Sequence, residues 1–348
     1  MMKHLTFLAV GALALTACTS ENVIDDAASS RNEIRFTNVV NKHTRAVEDL
    51  TTGTLRKFNV FGFYTKDTDP ETAHEVFSDL TVYDNEGNRQ WTYDGPKQYW
   101  IPGFTYYFYA YSCGSVDAHT AYGHFDLNME NNGTGMLAGD RLFTIDRFVC
   151  DNKHQHDLLY AVADPITASA GSNSDVSFQF SHILSKIKAK FTHNLSSEYE
   201  VVIRDVAVTN ICNVADFDSK SEAGWSEAER MGGSPFVALL DTENASESRE
   251  PISLTYGESA LTDEAYVIPC KYESRDVYLT FTVDVYYDRD LVLSRGLTAA
   301  FQPEWKKGFA YIYNVTIDPS DLQLSEIKFN VSTSITDWGD GGEIDEEE

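Results

Sequence analysis

Val277-Tyr278-Leu279-Thr280-Phe281-Thr282-Val283-Asp284-Val285-Tyr286 alternates for ten positions between a strictly apolar series and a polar or amphipathic one. A period of two places successive side chains on opposite faces of a strand, one on a core and one in water. The same reading applies to Phe58 to Tyr64, Tyr106 to Tyr111, Asp175 to Phe180 and Val201 to Val208. Helical periodicity is weak throughout, and the spacing predicts one short helix, over Ser221 to Arg230. Short strands broken by turn residues such as Asn85-Glu86-Gly87-Asn88 point to β-sandwiches. The 19 Tyr and 20 Phe among 348 residues fit that class, because aromatic and β-branched residues suit pleated surfaces.

The bulk properties narrow the function. The formal net charge is −27. Such a chain repels phosphate backbones, which excludes nucleic acid as a partner. It also resists electrostatic adhesion to an anionic membrane. The length suggests two ordinary domains or one large one.

An internal repeat favours two. Trp100-Ile101-Pro102-Gly103-Phe104-Thr105-Tyr106-Tyr107-Phe108 matches Trp305-Lys306-Lys307-Gly308-Phe309-Ala310-Tyr311-Ile312-Tyr313 in the pattern W-x-x-G-F-x-Y-x-aromatic. Each copy reads as a turn feeding a strand with aromatics on one face. The natural boundary lies between Ala161 and Val176, where Pro165 and small polar residues cluster. Glu33-Ile34-Arg35-Phe36, within a strand expected over Glu33 to Val40, is mirrored by Glu326-Ile327-Lys328-Phe329. In the second of these, Ile327, Phe329, Val331, Thr333 and Ile335 form one continuous face.

The first residues carry an address. Lys3 precedes a short apolar run from Leu5 to Leu15, followed by Leu15-Thr16-Ala17-Cys18. The run is far shorter than the ~20 residues needed to span a bilayer. The segment resembles a bacterial lipoprotein signal with its lipobox, which implies cleavage before Cys18 and acylation of that cysteine. Several acyl chains at ~0.8 kcal/mol per buried CH₂ give durable attachment where one chain is marginal. The remaining cysteines, Cys113, Cys150, Cys212 and Cys270, fall two to each half of the chain. Their spacing fits buried free thiols or one disulfide per half, and no pair shows C-x-x-C spacing.

No catalytic or cofactor motif is present: no Gly-rich phosphate loop, no G-x-S-x-G elbow, no H-E-x-x-H. His154-Gln155-His156-Asp157 reads as a polar turn before a strand rather than a metal cluster. His182 reads as a structural residue of the second domain. Asp337-Trp338-Gly339-Asp340-Gly341 breaks calcium-loop spacing and reads as solvated acidic tail. Trp91, Tyr93, Tyr99 and Trp100 read as packing, with a sugar-stacking platform as the alternative. No enzymatic activity and no cofactor are expected.

Taken in order, these pieces resemble the fimbrillins and fimbrillin-like lipoproteins of Bacteroidetes, the subunits of type V pili. The features that carry the likeness are Leu15-Thr16-Ala17-Cys18, Thr44-Arg45-Ala46, Gly103 to Tyr111, Asp157 to Ala161, Phe178 to Ile187, Tyr266-Val267-Ile268-Pro269, Gly308 to Ile317 and Ile335 to Trp338. The resemblance implies an all-β chain with two tandem transthyretin-like β-sandwich domains after a lipoprotein signal peptide. It divides the chain into a signal (1–17), a lipidated tether with a removable strand (18–45), an N-terminal sandwich (46–168), a C-terminal sandwich (169–338) and an acidic tail (339–348). It implies a shaft or tip subunit of a cell-surface fimbria that supports adhesion, held in the outer membrane by lipid on Cys18. Its partners would be other fimbrial subunits and an arginine-specific extracellular protease. Cleavage between Arg45 and Ala46 would free the strand that holds Ile34 and Phe36. A donor strand bearing Ile327, Phe329, Val331 and Ile335 would fill the vacated groove by strand addition. The competing reading is a surface glycan-binding lipoprotein of a nutrient-uptake system.

Overall fold

The computed structural model describes residues 32–40, 54–66, 68–114, 126–130, 142–171, 173–242, 249–273, 276–320, 331–337 and 344–345. Their strands run in chain order β1 (Phe36–Val40), β2 (Lys57–Lys66), β3 (Asp69–Tyr83), β4 (Thr92–Tyr93), β5 (Phe104–Ser112), β6 (Asp126–Glu130), β7 (Leu142–Val149), β8 (Leu159–Val162), β9 (Ile166–Thr167), β10 (Val176–His182) and β11 (Ser185–His193). The second part continues with β12 (Tyr199–Thr209), β13 (Val214–Asp218), β14 (Phe236–Leu240), β15 (Ile252–Leu254), β16 (Ala260–Leu261), β17 (Ala265–Val267), β18 (Val277–Tyr287), β19 (Asp290–Phe301), β20 (Phe309–Ile317), β21 (Val331–Asp337) and β22 (Ile344–Asp345). The architecture is all-β.

Four sheets result. The first has the order β1-β10-β8-β5-β2-β3-β4, with β9 also on β5. The second is β16-β11-β20-β21-β22, the third β14-β12-β18-β19, and a small one β13-β7-β6. β10 and β18 show the alternation expected of them, with every second residue of β10 buried. β2 and β5 differ from expectation. Phe58, Val60, Tyr106, Phe108 and Ala110 enter one core, while Phe61, Phe63, Tyr109 and Tyr111 enter another. A strand covered on both faces reads as a continuous apolar run, which is why Tyr106 to Tyr111 is aromatic at nearly every position.

The smaller core lies within the first sheet and its loops. The larger one fills the space between the second and third sheets, where Phe191 meets Phe281 with ring centroids 5.0 Å apart. It extends over the small sheet to the outer side of β2 and β5. β10 belongs to the first sheet, and its Phe178 and Phe180 lie in the smaller core. A boundary at 168/169 therefore falls before a strand that completes the N-terminal sheet.

Residues 221–230 are not helical. They lie along β13, with Trp225 bridging Phe217 and Glu229 bridging Val214. Gly224 has φ +77°, a left-handed conformation that interrupts a helix. Only Trp225 and Ala228 are apolar and buried, too narrow a stripe to hold a helix on a core. Extended pairing satisfies the backbone instead, and the Trp225 indole N–H donates to the Ile183 carbonyl at 2.6 Å.

The sequence repeat is reproduced in its turn conformation and in most of its hydrogen bonds. Gly103 and Gly308 both take positive φ, +82° and +76°. The N–H after each tryptophan donates to the tyrosine hydroxyl five residues on, Ile101 to Tyr106 at 2.9 Å and Lys306 to Tyr311 at 2.7 Å. Both indoles are buried. The copies differ where Phe108 stands in place of Tyr313: the Trp305 indole N–H donates to the Tyr313 hydroxyl, whereas that of Trp100 is buried without a partner among the described residues.

Candidate functional site

β1 is the terminal strand of the first sheet, and it runs parallel to β10 from Phe36↔Val176 to Val40↔Phe180. Parallel pairing needs a long connection between partners, and it is slightly weaker per residue than antiparallel pairing. Ile34, Phe36 and Asn38 point inward while Arg35 and Thr37 face solvent. The Phe36 ring sits among Phe58, Phe77, Tyr93, Phe108 and Phe178, at centroid distances between 5.5 and 6.2 Å. Burying each of Ile34 and Phe36 contributes ~1.5–3 kcal/mol.

The segment leading into β1 is clamped against the tryptophan turn. Ile34 N–H donates to the Gln98 carbonyl (2.8 Å), and Trp100 N–H donates to the Asn32 carbonyl (2.9 Å). The second repeat has the same pair of bonds: Tyr272 N–H to the Pro303 carbonyl (3.0 Å), and Trp305 N–H to the Cys270 carbonyl (2.9 Å). Residues 32–34 thus do for the first tryptophan what residues 270–272 do for the second. Tyr93 adds a bond from its hydroxyl to the Ile34 carbonyl at 3.4 Å. Burial pushes that phenol above its ordinary pKa, opposed by the Gln98 N–H, so it stays a neutral donor. Arg35–Asp175 (3.1 Å) and Lys97–Glu33 (3.5 Å) are half-exposed ion pairs of small effect.

One contact is unfavourable. Asn38 is buried, yet among the described residues its Nδ2 and Oδ1 have no hydrogen-bond partner. An unsatisfied buried polar group costs ~1–3 kcal/mol. β1 is therefore a short, terminal, parallel strand with two good anchors and one poor one. Taking it away uncovers the hydrogen-bonding edge of β10 and an aromatic-lined groove. An uncovered edge next to an apolar groove is a template for another strand.

The sequence model of fimbrillin-like proteins matches residues 44–338. The chain belongs to the fimbrillin-like family. Solved structures with a similar course include a candidate cell adhesion protein from Bacteroides ovatus (16% identity, 88% of this chain and 96% of that one, TM-score 0.47). Another is from Bacteroides uniformis (13%, 88% and 97%, TM-score 0.45). A fimbrial protein from Bacteroides ovatus aligns over 82% of this chain and 49% of its own, at 12% identity and TM-score 0.34. Among curated proteins, no sequence matches the chain.

Of the residues singled out in this fimbrillin-like chain, Ile34 and Phe36 stand together in the groove. Cys18, Arg45, Ala46, Ile327 and Phe329 lie outside the described residues. Val331 and Ile335 belong to β21, which pairs antiparallel with β20 in the chain's own second sheet, as Val315↔Val331 and Tyr311↔Ile335. Sequence reasoning missed Asn38; the signal was a polar residue at an inward position of an alternating strand. Tyr93 and Trp100 are buried and Trp91 packs on Phe58 at 4.7 Å, which leaves Tyr99 as the exposed member of that aromatic group. His182 is buried at the end of β10, in the first sheet rather than the second domain, with Nδ1 2.7 Å from Asp157 Oδ2. His154 sits in the turn before β8, its Nδ1 2.8 Å from Asp151. Among the described residues no group of three or more His, Cys, Asp or Glu is placed to hold a metal, and no helix is long and apolar enough to cross a membrane.

Proposed function

We propose that the protein is a structural, non-catalytic subunit, shaft or tip, of a cell-surface fimbria that supports adhesion. It reaches the outer membrane as a lipoprotein acylated at Cys18. An arginine-specific extracellular protease cuts between Arg45 and Ala46, β1 departs, and a strand from another fimbrial subunit takes its place. The observation that carries this reading is the placement of Ile34 and Phe36. Both are buried on a terminal strand that lies ahead of the expected cleavage point and fills a groove of the downstream body.

The exchange has a physical driving force in the registers of the two strands. Aligning Glu33-Ile34-Arg35-Phe36 with Glu326-Ile327-Lys328-Phe329 sets Ile327 for Ile34, Phe329 for Phe36 and Val331 for Asn38. The incoming strand keeps both anchors and, once Val331 at the start of β21 peels away from Val315, replaces the unsatisfied amide with an apolar side chain. Asn38→Val in the intact protein is expected to remove that advantage. It should raise stability by about 1 kcal/mol, read by urea denaturation, and slow multimer formation after cleavage. Faster assembly would contradict the driving force.

Native trypsin digestion tests the reading as a whole. Cleavage should come first after Arg45, since a linker between a strand and the body is the easiest place to nick. The clipped protein should then form SDS-resistant multimers. An N-terminus that stays intact while the body is cut would favour the glycan-binding alternative. Cys18→Ala should abolish palmitate labelling and release the protein from the membrane fraction; a labelled variant would refute the acylation site.

A further inference from the structure

We infer that Cys212 and Cys270 form a disulfide that locks the second repeat's clamp permanently, whereas the matching clamp of the first repeat stays removable. Cys212 lies between β12 and β13, and Cys270 between β17 and β18. They are 58 positions apart in sequence, yet both line one open pocket of about 280 Å³ with Glu227 and Tyr272. Within that pocket the Cys212 side chain is near enough to perturb the Cys270 thiol. The two segments are already tied, since the Cys212 backbone N–H donates to the side-chain hydroxyl of Tyr272, two residues after Cys270, at 2.6 Å. Cys270 itself holds the clamp by accepting the Trp305 N–H.

Cys212 is buried and Cys270 is half-buried. This sets the order of chemistry. The Cys270 thiol loses its proton and attacks a sulfur of a small-molecule disulfide, which expels one thiolate. The Cys212 thiol then loses its proton and attacks the Cys270 sulfur, which expels the second thiolate. The two protein thiols are oxidised, the small disulfide is reduced to two thiols, and the two protons end on those thiols. The neighbouring Cys212 side chain and burial both push the Cys270 thiol up from its ordinary pKa. A thiolate that is not stabilised gives the reduced pair no advantage, as expected of a staple rather than a redox switch. Cys150 is differently placed: its thiol donates to the Tyr266 carbonyl at 3.3 Å. The inference rests on the cell-surface location proposed above only in that an oxidising compartment supplies the small disulfide.

The contrast between repeats gives the bond its meaning. Residues 270–272 sit on Trp305 as residues 32–34 sit on Trp100, but only the former carry a cysteine facing another. A subunit that surrenders its first clamp needs the second to hold.

The test uses the full mature chain, oxidised with glutathione disulfide, alkylated with iodoacetamide in denaturant and digested with trypsin. The expected product is Asp205–Lys220 joined to Glu250–Lys271, lost on treatment with dithiothreitol. The Phe148–Lys153 peptide with alkylated Cys150 reports that alkylation was complete. Recovery of both cysteines alkylated, or of Cys270 with glutathione attached and Cys212 alkylated, would overturn the inference. Dithiothreitol should also lower the melting temperature of the oxidised wild type by roughly 5–15 °C. It should have no such effect on Cys212→Ser or Cys270→Ser. An unchanged wild-type transition would count against the bond, and because this comparison needs no variant it stands even if the serine proteins fold poorly.

Discussion

Phe36→Asp is expected to expel β1 from the first sheet while the larger core stays folded. The ring it replaces touches five other aromatic rings and no polar group among them balances a carboxylate. Truncating a buried phenylalanine costs ~3–5 kcal/mol, and a buried unpaired charge costs more. That sum exceeds what a five-residue parallel edge strand recovers through its backbone, so the strand leaves rather than burying the charge. The damage is confined because Ile34 and Phe36 belong to the smaller core alone. Hydrogen exchange should show residues 32–40 and the facing edge of β10 unprotected, with β11, β12, β18 and β20 unchanged. The protein should also multimerise without any protease, since the groove is open from the start. Phe36→Ala should give the same pattern more weakly. Protection of residues 32–40 equal to wild type would show that β1 is held by something other than this pocket.

The second large effect is expected at Phe329. It precedes the start of β21 at Val331, so Phe329→Asp leaves the ladder from Val315↔Val331 to Phe309↔Asp337 in place. The monomer should keep its denaturation midpoint. After cleavage, multimers should disappear, because the side chain that must enter the Phe36 pocket carries a charge. Ile335→Asp is the contrast. Ile335 stands opposite Tyr311 in the middle of β21, so this change should weaken the second sheet itself. A Phe329→Asp protein that still assembles would remove the donor role from this segment. A wild-type protein that is clipped, accepts strands and never donates one would be a tip subunit.

Much of the fold was legible along the chain. β10 and β18 announce themselves by strict alternation, because each has one face on a core. The two W-x-x-G-F-x-Y turns are legible because the glycine takes the same conformation and the tyrosine hydroxyl makes the same bond in both copies. What escaped was non-local. The parallel pairing of β1 with β10 joins Phe36 to Val176, 140 positions away in sequence, and neither strand carries a mark of its partner. The placement of β10 is non-local too: the small polar residues before it look like a domain linker, yet its phenylalanines fill the pocket around Phe36. The spacing of residues 221–230 suits a short helix, whereas Gly224 and the edge of β13 impose extended pairing. Counting cysteines by halves does not show that Cys212 and Cys270 share a pocket, which the fold creates.

The central claim is that the groove of β1 accepts a second strand of the donor pattern. The direct measurement is binding of a synthetic peptide covering residues 325–337 to protein clipped after Arg45, followed by fluorescence anisotropy, with multimers counted on SDS gels. The clipped protein should bind the peptide, which in excess should hold it monomeric, while intact protein and a Phe329→Asp peptide should show no binding. Clipped protein that ignores the wild-type peptide, or binds it no better than intact protein does, would contradict the account.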